Sequence, residues 1–346
     1  MHYSKDKKQQ DNNLSYKSFT LALKSGNIPK LLLFHGHERY LLEHSLGSLR
    51  AQLCPGGLDS FNYKRFSGNN ISIDDLNEAI ETLPAFADRT LIEVHDFDIF
   101  SSAHSGVISG ILTDLPDYIC IVFIFSTIDY KPDNRLKVTK EILKLADVIE
   151  FCIQEKSKLI NWISKHFQDA GKSISNDDAQ YLAFITGGLM TTLNGEIEKV
   201  AAYSTRERIT RSDIDAVVTP VLDAVSYKLT DFIVNHNHKQ ALHLLDELFQ
   251  MREAPHKLIY SISLKMKQLV AAKIFSDRNI GKSDFMKLCD IRYDVAARSL
   301  LDTARKTTIA KCRDYLKECC KTALELNSTT QPESRMIELV TKLAIM

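Results

Sequence analysis

The residues whose types and spacing come nearest to a ligand-binding motif are Gly36-His37-Glu38-Arg39-Tyr40. The apolar run Lys30-Leu31-Leu32-Leu33-Phe34-His35 leads into Gly36, and helical spacing starts again at Tyr40-Leu41-Leu42. Strand, glycine turn and helix make the frame of a phosphate-binding P-loop. That loop needs G-x-x-x-x-G-K-[ST], so that backbone N–H groups cradle phosphates while a lysine and a hydroxyl serve the phosphate and Mg²⁺. Here the turn lacks a second glycine and a Lys-Ser/Thr pair, and Glu38 would face the phosphates with the wrong sign. The frame is kept and the chemistry is absent, so the turn is expected to be degenerate and non-binding. Two Gly-Lys-Ser triplets, at Gly171 and Gly281, carry His166 and Ser276 where the first glycine belongs and follow helical patterns rather than strands. Asp96 and Asp98 sit after the third strand, where such ATPases keep a Mg²⁺-organising carboxylate, and Ser126-Thr127 sit where a polar residue senses a γ-phosphate. Without the lysine these read as strand-ending turns.

Other chemistry is sparse. His35/His37 and His236/His238 are spaced to chelate on a strand, but no Cys or further His completes either set. The seven cysteines include no C-x-x-C pair and read as reduced thiols. No Ser/His/Asp or Cys/His set at a recognisable spacing is present. No catalytic residue, cofactor or metal is expected.

The elements that hold these residues follow from periodicity. Five strand candidates, Lys30–His35, Phe61–Phe66, Thr90–Val94, Ile119–Phe125 and Val148–Phe151, alternate with helical patterns at Tyr40–Leu53, Ile73–Leu83, Ala103–Leu112 and Asn134–Leu145. Apolar strands alternating with amphipathic helices predict a doubly wound α/β domain with a largely parallel sheet. A further helix is expected at Leu14–Lys24, stopped by Gly26. After Phe151 the pattern is helical: four short helices to Val218, capped at Asn176 and Ser212, then helices from Val225 to Ala344 beyond Pro220. The expected organisation is a disordered lead-in at 1–13, an α/β domain at 14–152, a small helical domain at 153–219 and a larger helical domain at 220–346.

With 346 residues, the chain is long enough for two or three domains. Its composition, 44% apolar and 25% charged, is that of an ordinary soluble protein. No apolar run reaches the roughly 18 residues of a membrane span, and the amino terminus lacks a signal-peptide core, so no membrane association is expected. Net charge is zero, divided as −5 over residues 1–221 and +5 over 222–346, too mild to announce a nucleic-acid binder. Lys265/Lys267/Lys273 and Arg305/Lys306/Arg313 are candidate DNA-facing groups, with solvated faces the simpler reading.

One segment reads as a binding surface. Ile73, Leu76, Ala79, Ile80 and Leu83 share a helix face, Ser72 or Asp74 can cap its start, and Pro84 must end it. Phe86 then lies on a tight helix-to-strand connection. Such an aromatic, beside Leu83 and Pro84, is either an exposed anchor for a partner's pocket or a staple folded back on the sheet.

Four stretches together carry a family resemblance: Leu31-Leu32-Leu33-Phe34-His35-Gly36-His37-Glu38-Arg39-Tyr40-Leu41-Leu42; Leu83-Pro84-Ala85-Phe86-Ala87-Asp88-Arg89-Thr90-Leu91-Ile92; Gly187-Gly188-Leu189 followed by Leu193-Asn194-Gly195-Glu196-Ile197-Glu198-Lys199-Val200; and Ala241-Leu242-His243-Leu244-Leu245 with Pro255-His256-Lys257-Leu258-Ile259. In order and spacing they resemble the delta-subunit family of the bacterial DNA polymerase III clamp loader. The resemblance implies an ATPase-like (AAA+-type) doubly wound parallel sheet without a P-loop, a helical lid and an all-α collar. It implies a cytoplasmic, non-catalytic subunit of the DNA-directed DNA polymerase holoenzyme, a nucleotidyltransferase complex. Such a subunit binds the sliding clamp (the beta subunit), opens its ring and helps load it on primed DNA during replication. Its implied partners are the ATP-hydrolysing gamma/tau subunits and delta-prime in a hetero-pentamer, with primer-template DNA inside the complex. The family's clamp contact maps onto Ala85-Phe86, with Leu83 and Pro84 beside them, and this favours an exposed Phe86. Ala85 departs from the larger apolar residue usual there, leaving the second contact open, with Leu83 able to supply it. The alternative is an ATP-hydrolysing AAA+-type motor subunit.

Overall fold

The computed structural model describes residues 15–55, 59–68, 71–278 and 280–346. The lead-in expected to be disordered, 1–13, lies outside them. The chain divides into two compact units, one reaching to Gln154 and the other from Glu155 to Met346.

The first unit comprises helix α1 (15–25), β1 (Leu31–Gly36), α2 (Arg39–Leu53), α3 (Asp59–Asn62), β2 (Tyr63–Ser67), α4 (Ile73–Glu81), β3 (Thr90–His95), α5 (Ser105–Thr113), β4 (Ile119–Phe125), α6 (Lys137–Leu145) and β5 (Asp147–Phe151). The five strands form one sheet in the order β2-β3-β4-β1-β5 with every pairing parallel, the doubly wound arrangement expected. β4, the most apolar run of the chain, takes the centre and is buried throughout, as a strand covered on both faces must be. Period-two alternation sorts the two faces. Leu31, Leu33, Ile92, Val94, Ile121 and Phe123 pack against Leu76 and Ile80 of α4, Ile108 and Leu112 of α5 and Ile142 of α6. On the other face the Phe34 ring meets Phe19 of α1 at 5.1 Å and Phe151 at 5.0 Å.

Several boundaries differ from the sequence expectation, among them the start of α6 at Lys137 rather than Asn134 and of α5 at Ser105 rather than Ala103, and two bear on the site. The second strand begins at Tyr63 rather than Phe61, because Asp59–Asn62 form a helical turn. α4 ends at Glu81, before Leu83: Thr82 is already extended, at φ −68° and ψ 121°, so the chain leaves the helix ahead of the proline. Ser72 caps this helix, accepting from the Asp75 amide at 3.2 Å.

The second unit opens with α7 (Lys156–Asp169), β6 (Ser173–Ile174), α8 (Asn176–Ile185), α9 (Met190–Tyr203), β7 (Arg208–Ile209) and α10 (Arg211–Val217). The two-residue pair β6–β7 has no period long enough to be read from sequence. The caps shift by one and two residues. Ser175, not Asn176, accepts from Asp178 N at 3.1 Å, and Thr210, not Ser212, forms a capping box with Asp213. There follow α11 (Leu222–Val234), α12 (His238–Gln250), α13 (Pro255–Asp277), α14 (Lys282–Leu288), α15 (Asp294–Arg305), α16 (Ile309–Glu325) and α17 (Pro332–Ile345). The 23-residue α13 runs through their common core, where Leu258, Ile262, Met266 and Leu269 meet residues such as Ala297, Leu300, Tyr315 and Cys319. Among the described residues no helix is long and apolar enough to cross a membrane.

Candidate functional site

In the turn from Gly36 to Tyr40, most groups are engaged within the protein itself. Gly36 sits at φ +131°, and a Cβ there would lie 2.3 Å from the Phe151 carbonyl oxygen and 2.7 Å from its nitrogen. The glycine therefore serves the close passage of β5 beside β1, where Gly36 and Phe151 are register partners. The Glu38 amide donates to Phe151 O at 2.9 Å, and its carbonyl accepts from Leu42 N to start α2. Its side chain is buried rather than turned toward the place a phosphate would occupy. The helix amino end is where a carboxylate is favoured. Arg39 donates to Ser126 O at 2.6 Å, and Tyr40 stacks parallel to His44. His37 remains exposed.

The would-be metal carboxylate is also committed. Asp96 Oδ1 accepts from the amides of Ser126 and Thr127, each at 2.6 Å, so it ties the end of β3 to the end of β4. Burial pushes its pKa up, but the Thr127 and Ser126 amides outweigh that and hold it below the usual carboxylate range. Asp98 accepts from Phe100 N at 3.0 Å. In the Gly-Lys-Ser triplets, Lys172 donates to the carbonyls of Ser204 and Arg206, and Lys282 pairs with Asp294. Among the described residues no group of three or more His, Cys, Asp or Glu is placed to hold a metal ion.

The Leu83–Phe86 turn is different. Phe86 is 89% exposed and Leu83 71% exposed, with Pro84 and Ala85 partly covered between them. Phe86 has φ +59°, a left-handed conformation that is uncommon for a bulky residue and costs of order 1–3 kcal/mol. Of the two places the sequence left open for this ring, the backbone has chosen solvent. The turn is held from beneath by a residue that sequence reasoning missed. The Asn62 side chain donates from Nδ2 to Ala85 O at 2.6 Å and accepts at Oδ1 from Ala85 N at 2.7 Å. Asn62 is itself fully buried, and its carbonyl accepts from the Cys54 thiol at the end of α2. Its neighbour Phe61 is 58% exposed, adding a third apolar side chain to this part of the unit. At the other end of the turn, Arg89 donates to the carbonyls of Ile28 and Ile119 and secures the start of β3.

Next to Asn62 begins a buried polar cluster, also missed. Glu93 on β3 is fully buried and takes a bidentate pair from Arg50 of α2 at 2.7 and 2.6 Å, the Tyr63 hydroxyl at 2.9 Å and His95 Nε2 at 3.0 Å. Burial alone would raise the Glu93 pKa; hydrogen bonds from His95 and Arg50, with the Arg50 charge, bring it down to about 2. The only sequence signal was a charged residue in an otherwise apolar strand.

The second unit offers weaker material. A cleft of about 650 Å³ has Phe184, Val225 and Leu248 in its lining, but Asp215, Asp231 and Glu247 outnumber Lys228 there, which suits no phosphate. Of the lysines considered for DNA, Lys265 is 1% exposed and pairs with Asp223 at 2.7 Å beneath the Tyr227 ring, so the solvated-face reading fails for it as well. Lys273 is paired with Asp277, Arg305 with Asp302 and Lys306 with Asp231.

Comparison with known proteins adds to this geometry. Residues 32–152 match the family model described as DNA polymerase III, delta subunit, and residues 223–342 match that of the DNA polymerase III delta subunit, C-terminal domain. The DNA polymerase III subunit delta of Bacillus subtilis is 23% identical over 331 residues, covering 92% of this chain and 93% of that protein. The probable DNA polymerase III subunit delta of Aquifex aeolicus is 21% identical over 251 residues, covering 68% of this chain and 69% of that one. The solved structure of the Bacillus subtilis DNA clamp loader delta protein superposes with a TM-score of 0.53 at 19% identity, covering 96% of this chain and all of that one, a likeness of fold.

Proposed function

Because the chain belongs to the DNA polymerase III delta-subunit family, we propose that it is a non-catalytic clamp-loader subunit that grips the sliding clamp through the Leu83–Phe86 turn. The observation that carries the reading is the Phe86 ring, set in solvent on a left-handed residue whose turn is braced by a buried side chain. A fold does not hold a large aromatic outward in a strained conformation for its own stability. Leu83 and Phe61 widen the apolar surface that Ala85 leaves narrow. The Bacillus subtilis structure that shares this fold is that of a DNA clamp loader delta protein, which supports the same reading.

In this reading the clamp (the beta subunit) is a closed ring, and this chain binds one edge better when the ring is open. Differential affinity then shifts the population toward open, without bond chemistry. ATP is hydrolysed by neighbouring gamma/tau subunits in a pentamer that includes delta-prime and encloses primer-template DNA. Residues 14–152 dock on the clamp, 153–219 form a lid and 220–346 form the collar. The degenerate loop supports this division of labour: Gly36 is taken up by β5, Glu38 is buried and Asp96 is tied to β4.

The test is clamp affinity of the full chain, wild type against Phe86→Ala. A buried aromatic removes about 150 Å² from water, worth about 3–4 kcal/mol at roughly 25 cal/mol per Å². Clamp binding is therefore expected to weaken about a hundredfold to a thousandfold, with pentamer assembly intact. Unchanged clamp affinity would remove the site. Saturable ATP binding by the isolated chain in equilibrium dialysis would favour a motor subunit instead.

A further inference from the structure

We propose that Asn62 is the positioning residue of the clamp-gripping turn, fixing Phe86 in its outward pose before the partner arrives. The inference rests on Phe86 being the clamp anchor. Both halves of the Asn62 carboxamide close on one residue, Ala85, at 2.6 and 2.7 Å, reproducing the double bond pattern of a strand pair with a side chain in place of a strand. Because Asn62 is fully buried, water does not compete for these bonds. Asn62 is itself anchored. Its carbonyl receives the Cys54 thiol, and Tyr63, the next residue, enters β2 and donates to buried Glu93. The rigidity of the sheet is thereby passed 23 residues along the chain to the turn.

The need for such a brace follows from Phe86. At φ +59° and 89% exposure, its ring has almost no packing of its own to hold it. An unbraced turn would relax toward negative φ and carry the ring elsewhere. Binding would then be reduced by the fraction of time spent in the competent pose. Ordering the anchor in advance removes that reduction. Leu83, before the brace point, depends on it less.

The experiment is a double-mutant cycle on the full chain and the sliding-clamp ring, with Asn62→Ala, Phe86→Ala and the double variant. Thermal unfolding and pentamer assembly report on folding. 4-Fluorophenylalanine at position 86 reports ring mobility by ¹⁹F NMR. Asn62→Ala is expected to weaken clamp binding about tenfold in the wild-type background and less than twofold beside Phe86→Ala. The ¹⁹F signal of the free protein should broaden or split. Equal effects in both backgrounds, or a sharp unchanged ¹⁹F signal with wild-type affinity, overturns the inference. If Phe86→Ala binds normally, the clamp reading falls while the ¹⁹F signal still decides whether Asn62 holds the turn. Should Asn62→Ala fail to assemble, the same cycle is run with Asn62→Ser. Failure of both makes Asn62 a folding residue and overturns the proposal.

Discussion

Glu93→Gln tests the electrostatic support behind the turn. The wild-type carboxylate is fully buried, and its partners hold its pKa at about 2 against an ordinary 4.5. That difference corresponds to about 3 kcal/mol of stability at neutral pH, at roughly 1.4 kcal/mol per pKa unit. The sign follows from proton counts. Between the two pKa values the unfolded chain binds the proton that the folded chain refuses, so stability rises with pH. The contribution is complete well above 4.5 and is lost as pH falls toward 2, with about 2 kcal/mol gone by pH 3. Glu93→Gln keeps the shape, removes the titration and leaves the Arg50 guanidinium facing an amide. The variant should be less stable by about 3 kcal/mol at pH 7, with the gap narrowing to about 1 kcal/mol at pH 3. Hydrogen exchange of the β3 and β4 amides reads the first unit separately, since the single Trp162 lies on α7 in the second. A gap constant from pH 7 to pH 3 would refute the linkage argument.

Two further substitutions probe other parts of the molecule. Gly36→Ala puts a methyl group 2.3 Å from the Phe151 carbonyl oxygen on a residue at φ +131°; it should cost more than about 4 kcal/mol or abolish folding, and a melting temperature within a few degrees of wild type would contradict the assigned role. Lys265→Met replaces a buried ammonium by an apolar group of similar length in contact with Tyr227. It should be neutral or stabilising by about 1 kcal/mol, whereas Asp223→Ala, which strands the charge, should destabilise; the reverse order in chemical unfolding would show that the ion pair itself holds the bundle.

Much of the fold was legible. Local apolar patterning located all five strands of the large sheet and the longer helices between them, because burial of one face imposes period 3.6 on a helix, while burial of both faces makes a central strand a continuous apolar run. The β6–β7 pair escaped because two residues carry no period. The apolar pattern starts the second strand at Phe61, but Asn62 is drawn into the Ala85 brace and the strand starts only at Tyr63. The absence of a phosphate-binding lysine was plain in the residues. What took its place was not: Gly36 against Phe151, and Asp96 against Ser126 and Thr127, are contacts between segments far apart in the chain.

The residues of the turn divide the same way. The sequence by itself determined that a helix must stop before Pro84 and that an aromatic follows on a surface connection. Whether Phe86 points to solvent or folds onto the sheet depended on one backbone dihedral and on a hydrogen-bonded brace to Ala85 from Asn62, 23 positions before that alanine. Local pattern carries no information about pairings of that range. Only tertiary structure, by burying the Asn62 carboxamide where Ala85 engages both of its halves, decided where the ring stands.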